Sequence, residues 1–284
     1  MIAPARSGHH VRMHVRRLTH DDLPACSRLA VSRHWGAEEH KWRFLFDVGE
    51  VYGIDAPGGG LASTALLVPY GPDAAAVSMV LTAAGHERQG LAGRVVRHLL
   101  DVAGERTVWL YSTANGRPVY ERLGFRAVGR VESHRGPFTG APSGATRPAT
   151  ERDLDDILAL DAKVFGADRS GLLRRMPSFH GRVRVLEAGG RIEGYGGAWR
   201  NDTQIVIGPL IARDTGQATA LIGDLAAGWD LPVRLDLDMS RPELVAWAVE
   251  RGLGSPFPNT VMVRGGELPG DHARRFLPLM VSLG

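Results

Sequence analysis

The sequence predicts an α+β chain built from two copies of one domain, and three observations lead there. At 284 residues the chain is too long for one small domain and suits two of roughly 140 residues each. A stretch crowded with glycine, proline and serine, residues 135 to 148, lies near the middle and reads as a linker. What flanks that stretch repeats: Arg16, Thr19, Asp22 and Leu23 correspond to Arg147, Thr150, Asp153 and Leu154 at a constant offset of 131. Later segments recur in the same order at offsets of 126 to 131, the pattern of a duplicated domain.

Each copy opens on a helix start. Thr19 and Thr150 suit an N-cap, and the aspartate three residues on, Asp22 or Asp153, can bond back to the cap amide. Helical spacing follows in Leu23, Cys26 and Ala30, and again in Leu154, Ile157 and Leu158. In the first copy, residues 59 to 83 read as two strands joined by a turn at Tyr70-Gly71-Pro72-Asp73. The second of these strands ends near Thr82 and runs into a glycine-bearing turn. A helix then starts near Gly90, with Leu91, Val95, Leu99 and Val102 at spacings of three or four. Residues 107 to 113, "TVWLYST", are the next strand. Pro118 opens a short helix that Gly124 closes, and residues 126 to 133 form the last strand. The expected boundaries are a flexible extension over 1–11, a first domain over 12–135, a linker over 136–146 and a second domain over 147–284.

Composition narrows the class. The apolar and charged fractions are those of a globular protein, so a packed core is expected. No apolar run approaches the ~20 residues that span a bilayer, and the basic N-terminus lacks the apolar centre of a secretory signal. Met13 is an alternative start, and His9, His10 and His14 belong to a tail rather than to a metal site; no metal is expected. The single cysteine, Cys26, excludes an intrachain disulfide, sits on an apolar helix stripe and fits a reducing cytoplasm. The first 142 residues carry 17 Arg and Lys against 13 Asp and Glu, and the rest 17 against 18, so the first half is the better host for an anion. No basic patch is interleaved with aromatics, so neither nucleic acid nor membrane is expected as a partner.

The stretch Glu87-Arg88-Gln89-Gly90-Leu91-Ala92-Gly93 either turns the chain or holds a phosphate. The first amides of a helix have no intrahelical partner and sit at the positive end of its dipole. Small residues let an anion approach them, and Arg88 and Arg94 flank the turn. Against this, any strand-to-helix turn can carry glycines and a surface arginine. The stretch is neither a P-loop nor a G-x-G-x-x-G fingerprint.

Taken with Tyr120-Glu121-Arg122-Leu123-Gly124-Phe125, the turn resembles the GNAT superfamily of acyl-CoA-dependent N-acyltransferases over about residues 12 to 135. That family pairs a (Gln/Arg)-x-x-Gly-x-(Gly/Ala) turn after its fourth strand with a later Tyr-x-x-x-Gly-Phe helix. The resemblance implies two tandem GNAT-like domains, each a mixed, mostly antiparallel sheet flanked by helices. It also implies acetyl-CoA as co-substrate. Val80, Leu81 and Thr82 would then pair with its pantetheine arm. Arg88, Gln89, Gly90, Leu91, Ala92, Gly93 and Arg94 would hold its pyrophosphate, with Asn115 nearby. Glu87 departs from the motif and is expected to face solvent. Tyr120 is assigned by the resemblance as the acid that protonates the departing thiolate; taken alone, it is equally a core aromatic.

Acetyl transfer needs a neutral amine, a polarised thioester and a proton for the leaving thiolate. No general base is visible: the strand-end region offers Ser78, Ser112 and Thr113, and Thr113 replaces the family's asparagine. Glu38, Glu39, His34 and His40 lie in the expected acceptor-side helix-loop region; they are candidates for the base or for amine binding, but read first as a solvated helix face. In the second copy Arg213-Asp214-Thr215-Gly216-Gln217-Ala218 fits the turn pattern, yet Ala248 stands where Tyr120 does, so this copy reads as catalytically silent. Asp236 and Asp238 share one strand face and suit a cationic acceptor if that face lines a cleft. The expectation is a cytoplasmic N-acetyltransferase, monomer or homodimer, acting on a small-molecule or peptide amine. The alternative is an acyl-CoA-binding regulatory module without turnover.

Overall fold

The computed structural model describes residues 14 to 283, so His9, His10, Met13 and the expected extension over 1–11 lie outside the described residues. The first half runs β1 (Val15–Arg17), α1 (Leu23–Ser32), α2 (Glu39–Val48), β2 (Glu50–Asp55), β3 (Leu61–Tyr70), β4 (Ala74–Thr82), α3 (Leu91–Ala103), β5 (Thr107–Ser112), α4 (Arg117–Arg122) and β6 (Arg126–Gly136). The second half repeats it with β7 (Arg147–Pro148), α5 (Leu154–Phe165), α6 (Ser170–Leu173), α7 (Met176–Phe179), β8 (Arg182–Ala188), β9 (Arg191–Arg200) and β10 (Ile205–Ile211). It continues with α8 (Thr215–Ala226), β11 (Val233–Asp238), α9 (Pro242–Glu250) and β12 (Gly254–Arg264), and ends with an added strand, β13 (Arg275–Leu277).

The repeated residues at each start form one device. Arg16 clamps Asp22 at 2.7 Å, and Arg147 clamps Asp153 at the same distance. The amides of Thr19 and Thr150 donate to those carboxylates at 2.9 and 2.6 Å. Each arginine also reaches the next strand in sequence, Arg16 to Asp55 on β2 and Arg147 to Glu187 on β8. The offset seen in the sequence is therefore the trace of a twice-used tie between a helix start and its sheet.

The expected mixed sheet is present in each half, and the two are joined into one. The order is β1-β2-β3-β4-β5-β12-β6-β11-β10-β9-β8-β7, with β13 against β10. Only β4–β5 and β10–β11 pair in parallel. The last strands are exchanged. β12 lies between β5 and β6, with Thr260 opposite Ser112, while β6 lies against β11, with Val131 opposite Asp238. Because β12 is antiparallel to both β5 and β6, and β6 is antiparallel to β11, strands β5 and β11 run in opposite directions.

Helices cover both faces. α1, α2, α5, α6 and α7 share one core that crosses the junction, with Cys26, Trp42, Phe165, Leu173 and Phe179 buried in it. On the other face α3 packs with Leu91, Val95, Val96 and Leu99, and α8 and α9 build a separate core around Leu221, Ile222 and Ala248. No helix among the described residues is long and apolar enough to cross a membrane.

Candidate active site

β4 and β5 pair only over Ala74–Ala76 and Thr107–Trp109, then part, although β4 continues to Thr82 and β5 to Ser112. The β5-side edge of Val77 to Thr82 is thus left without a strand neighbour. A register shift against β3 accompanies the parting, and Met79 takes a φ of +48° there. Side chains of β3 hold this bulge: Thr64 Oγ1 donates to the Met79 carbonyl at 3.1 Å and Ser63 Oγ to that of Leu81 at 2.7 Å. Leu81 is buried, and Val80 and Thr82 are half-buried on the open edge. Ser78, just before the bulge, is buried with its hydroxyl unpartnered among the described residues.

The turn after β4 is shaped by two left-handed residues, Arg88 at φ +59° and Gly90 at φ +74°. Gly90 is the N-cap of α3, and no side chain caps that helix. Nothing stands within 4 Å of where a Cβ on Gly90 would be, so the ground before the first amides of α3 is open. Arg88, Gln89 and Arg94 are exposed around it; Leu91 is buried, and Ala92 and Gly93 are half-buried in the first turn. Glu87 does not simply face solvent. Its carboxylate pairs with Arg33, just past the end of α1, at 2.6 Å, which ties the turn to α1 and offsets the acid's charge beside the open amides.

Gly93 approaches Val119 on α4, which brings the turn and the Tyr120 helix together. Thr113 occupies the family's asparagine position and starts α4 instead: its carbonyl accepts from Arg117 N at 3.1 Å and its hydroxyl from Gly116 N at 3.3 Å. Asn115 is exposed on the same connection. Tyr120 is buried, edge-on to Phe125 with ring centroids 6.0 Å apart. Its hydroxyl makes no hydrogen bond among the described residues, and burial raises it above the ordinary tyrosine range. A phenol so placed keeps its proton at neutral pH and has it free to give.

The second half has the same parts, filled by its own chain. Asp214 caps α8, accepting from Gln217 N at 2.9 Å, so a carboxylate already stands where an anion would be held. Arg213 turns to Glu193 at 3.0 Å. β10 and β11 part beyond Ile207 and Leu235, but β13 enters there and pairs with Leu210 and Ile211. Gly208, at φ +157°, is required at this point, because the Pro278 carbonyl occupies the space of a side chain. Ala248 is buried in the α9 core. These fillings were not foreseen from the sequence, although the Asp214-x-x-Gln217 spacing is an N-cap signal.

The loop carboxylates and His40 are engaged elsewhere. Glu38 pairs with Lys41 and accepts from Asn201 Nδ2 at 2.8 Å. Glu39 pairs with Arg43 in solvent. His40 stacks on Phe179 at 4.7 Å, and His34 is exposed. Asp236 and Asp238 do line a cavity, but Asp236 is held by Arg234 at 2.8 Å and Ser133 at 2.6 Å.

Known proteins resemble both halves. The family of GNAT acetyltransferases matches residues 16–125, and a GNAT acetyltransferase domain matches residues 157–277. YitH of Bacillus subtilis (strain 168), described as an uncharacterized N-acetyltransferase, is 28% identical over 252 residues, covering 87% of this chain and 89% of its own. Among solved structures, a putative acetyltransferase from Pyrococcus horikoshii shares the fold over 99% of each chain, at 16% identity and a TM-score of 0.81. A tandem GNAT protein from the clavulanic acid biosynthesis pathway does so over 90% of this chain and 99% of that one, at 13% identity and a TM-score of 0.60. With one such domain in each half, joined through a shared sheet, the chain belongs to the GNAT acetyltransferase family and is a tandem member of it.

Proposed function

We propose that the first half transfers an acetyl group from acetyl-CoA to the amine of a small molecule or peptide. The observation that carries this reading is the contrast between the halves: the parted strands and uncapped helix stand open beside Tyr120, while their counterparts are filled. The free edge of Val80, Leu81 and Thr82 would pair with the pantetheine amides. The amides from Arg88 to Gly93 would take the pyrophosphate, with Arg88 and Arg94 contributing positive charge. At the parting of β4 and β5 the amine nitrogen attacks the thioester carbon, and backbone amides steady the oxyanion. The carbon–sulfur bond breaks, Tyr120 gives its proton to the thiolate, and the ammonium proton leaves to water.

The test is an amine-panel assay that follows free thiol. Turnover is expected with acetyl-CoA, and Tyr120→Phe should lower kcat by roughly 10²- to 10³-fold while leaving acetyl-CoA affinity unchanged. Absence of saturable acetyl-CoA binding at millimolar concentration overturns the reading. One observation favours a second reading, a binding module without turnover: Glu38, Glu39 and His40 are all engaged away from Tyr120. Saturable binding without thiol release across the panel would select it.

A further inference from the structure

A cavity of about 710 Å³ opens at the C-terminal ends of β10 and β11, with Tyr111 near the end of β5 in its wall. Although β5 and β11 run in opposite directions, their C-terminal ends meet at one level of the sheet: Ser112 stands opposite Thr260, Thr260 opposite Arg130, and Asp238 opposite Val131. From the second half, with β13 in the cleft and Asp214 on α8, no thioester has a path to this cavity. The cavity is nevertheless of the size of a small-molecule site.

Its charges mostly cancel. Arg169 is paired with Asp161 at 2.6 Å, Arg130 with Glu132, Glu267 with Arg126, and Asp236 with Arg234. Two are left over. Arg275, half-buried on β13, has no carboxylate partner among the described residues; Nη1 donates to the Pro269 carbonyl at 2.8 Å and its plane lies 4.5 Å over the Phe165 ring. Burial lowers its affinity for the proton, as expected of a cation short of a counter-ion. Asp238 accepts only from Ser240 N, at 2.9 Å, and forms no ion pair among the described residues. The wall also carries apolar Val261, Leu210 and Phe276, and the Tyr111 hydroxyl, which makes no hydrogen bond among the described residues.

We propose that this cavity binds a zwitterion, an α-amino acid or short peptide with an apolar body, its carboxylate on Arg275 and its ammonium on Asp238. An Arg275 fork matches a carboxylate with two parallel bonds, and Asp238 supplies the opposite charge.

Isothermal titration of the full chain tests it with L-phenylalanine, the dipeptide Phe-Leu, 2-phenylethylamine and 3-phenylpropionate. At least one zwitterion should saturate, binding roughly ten- to a hundredfold more tightly than both truncated analogues. Which of the two zwitterions binds identifies the source. Arg275→Met should erase the preference over the amine, Asp238→Asn the preference over the acid, and Tyr120→Phe should change neither. The comparison of analogues on the unaltered protein decides the matter if a variant fails to fold. Equal affinities for zwitterion and analogues, no saturation at millimolar concentration, or loss of binding in Tyr120→Phe would each overturn the proposal.

Discussion

Replacing Asp161 by asparagine removes one charge from the most deeply buried ion pair among the described residues. Asp161 is 1% exposed and Arg169 5%. The carboxylate accepts from Arg169 Nε at 2.8 Å and Nη2 at 2.6 Å, and from the Tyr195 hydroxyl. Asparagine keeps the volume but leaves the Arg169 cation over Phe165 with no counter-charge, at a cost of about 3–5 kcal/mol. The unfolding entropy of 284 residues is roughly 0.6 kcal/mol per kelvin, so Tm should fall by about 5–8 °C. Differential scanning calorimetry reads this directly. The exposed pair Glu39–Arg43 is the control, and Glu39→Gln should stay within about 0.5 kcal/mol. The double change Asp161→Leu with Arg169→Met should recover most of the loss, since a desolvated pair and an apolar pair are close in free energy. A fall below about 2 °C for Asp161→Asn would refute the reasoning, by showing that water reaches Arg169.

Other expectations are as direct. The His180 ring is buried, with Nε2 on the Gly208 carbonyl at 2.8 Å, and burial pushes its pKa down to about 4. Between about pH 6.5 and 4 the unfolded chain then binds a proton that the folded one refuses, so stability falls with pH across that window; denaturant titrations of His180→Leu should lack this slope. Asp214→Ala removes the cap of α8 and should cost about 1 kcal/mol without altering acetyl-CoA binding, measured by urea melts and calorimetry. Because the Tyr120 hydroxyl has no partner among the described residues, Tyr120→Phe should keep Tm within about 1 °C while turnover falls.

What the sequence discloses here is what short-range chemistry dictates. The Thr19–Asp22 and Thr150–Asp153 starts were readable because a cap and its partner are three residues apart. The turn from Glu87 to Gly93 and the Pro118–Gly124 helix were readable for the same reason. The exchange of β6 and β12 was not, because alternation shows that a segment is a strand and not which edge it will join. The Met79 bulge has no signal in Val77-Ser78-Met79-Val80; it depends on the hydroxyls of Ser63 and Thr64 one strand away. β13 spans only three residues, too few for a period, and its role comes from the gap it enters. Asp236 and Asp238 were read as a pair, yet Arg234 two residues back and Ser133 on the neighbouring strand hold Asp236 and leave only Asp238 with charge to spare.

The exchanged strands also set a clock for biosynthesis. β5 waits for β12, and about 150 residues separate Ser112 from its neighbour's far end at Arg264. At ~5–20 residues per second, the ribosome leaves that edge bare for roughly 8–30 s. During that interval the nascent first half presents an apolar strand, Val108-Trp109-Leu110-Tyr111, to any chain that can pair with it, including one from a neighbouring ribosome on the same message. Crowded polysomes should therefore yield strand-swapped pairs of chains, and chaperones that shield strand edges should matter more to this protein's yield than its finished stability suggests.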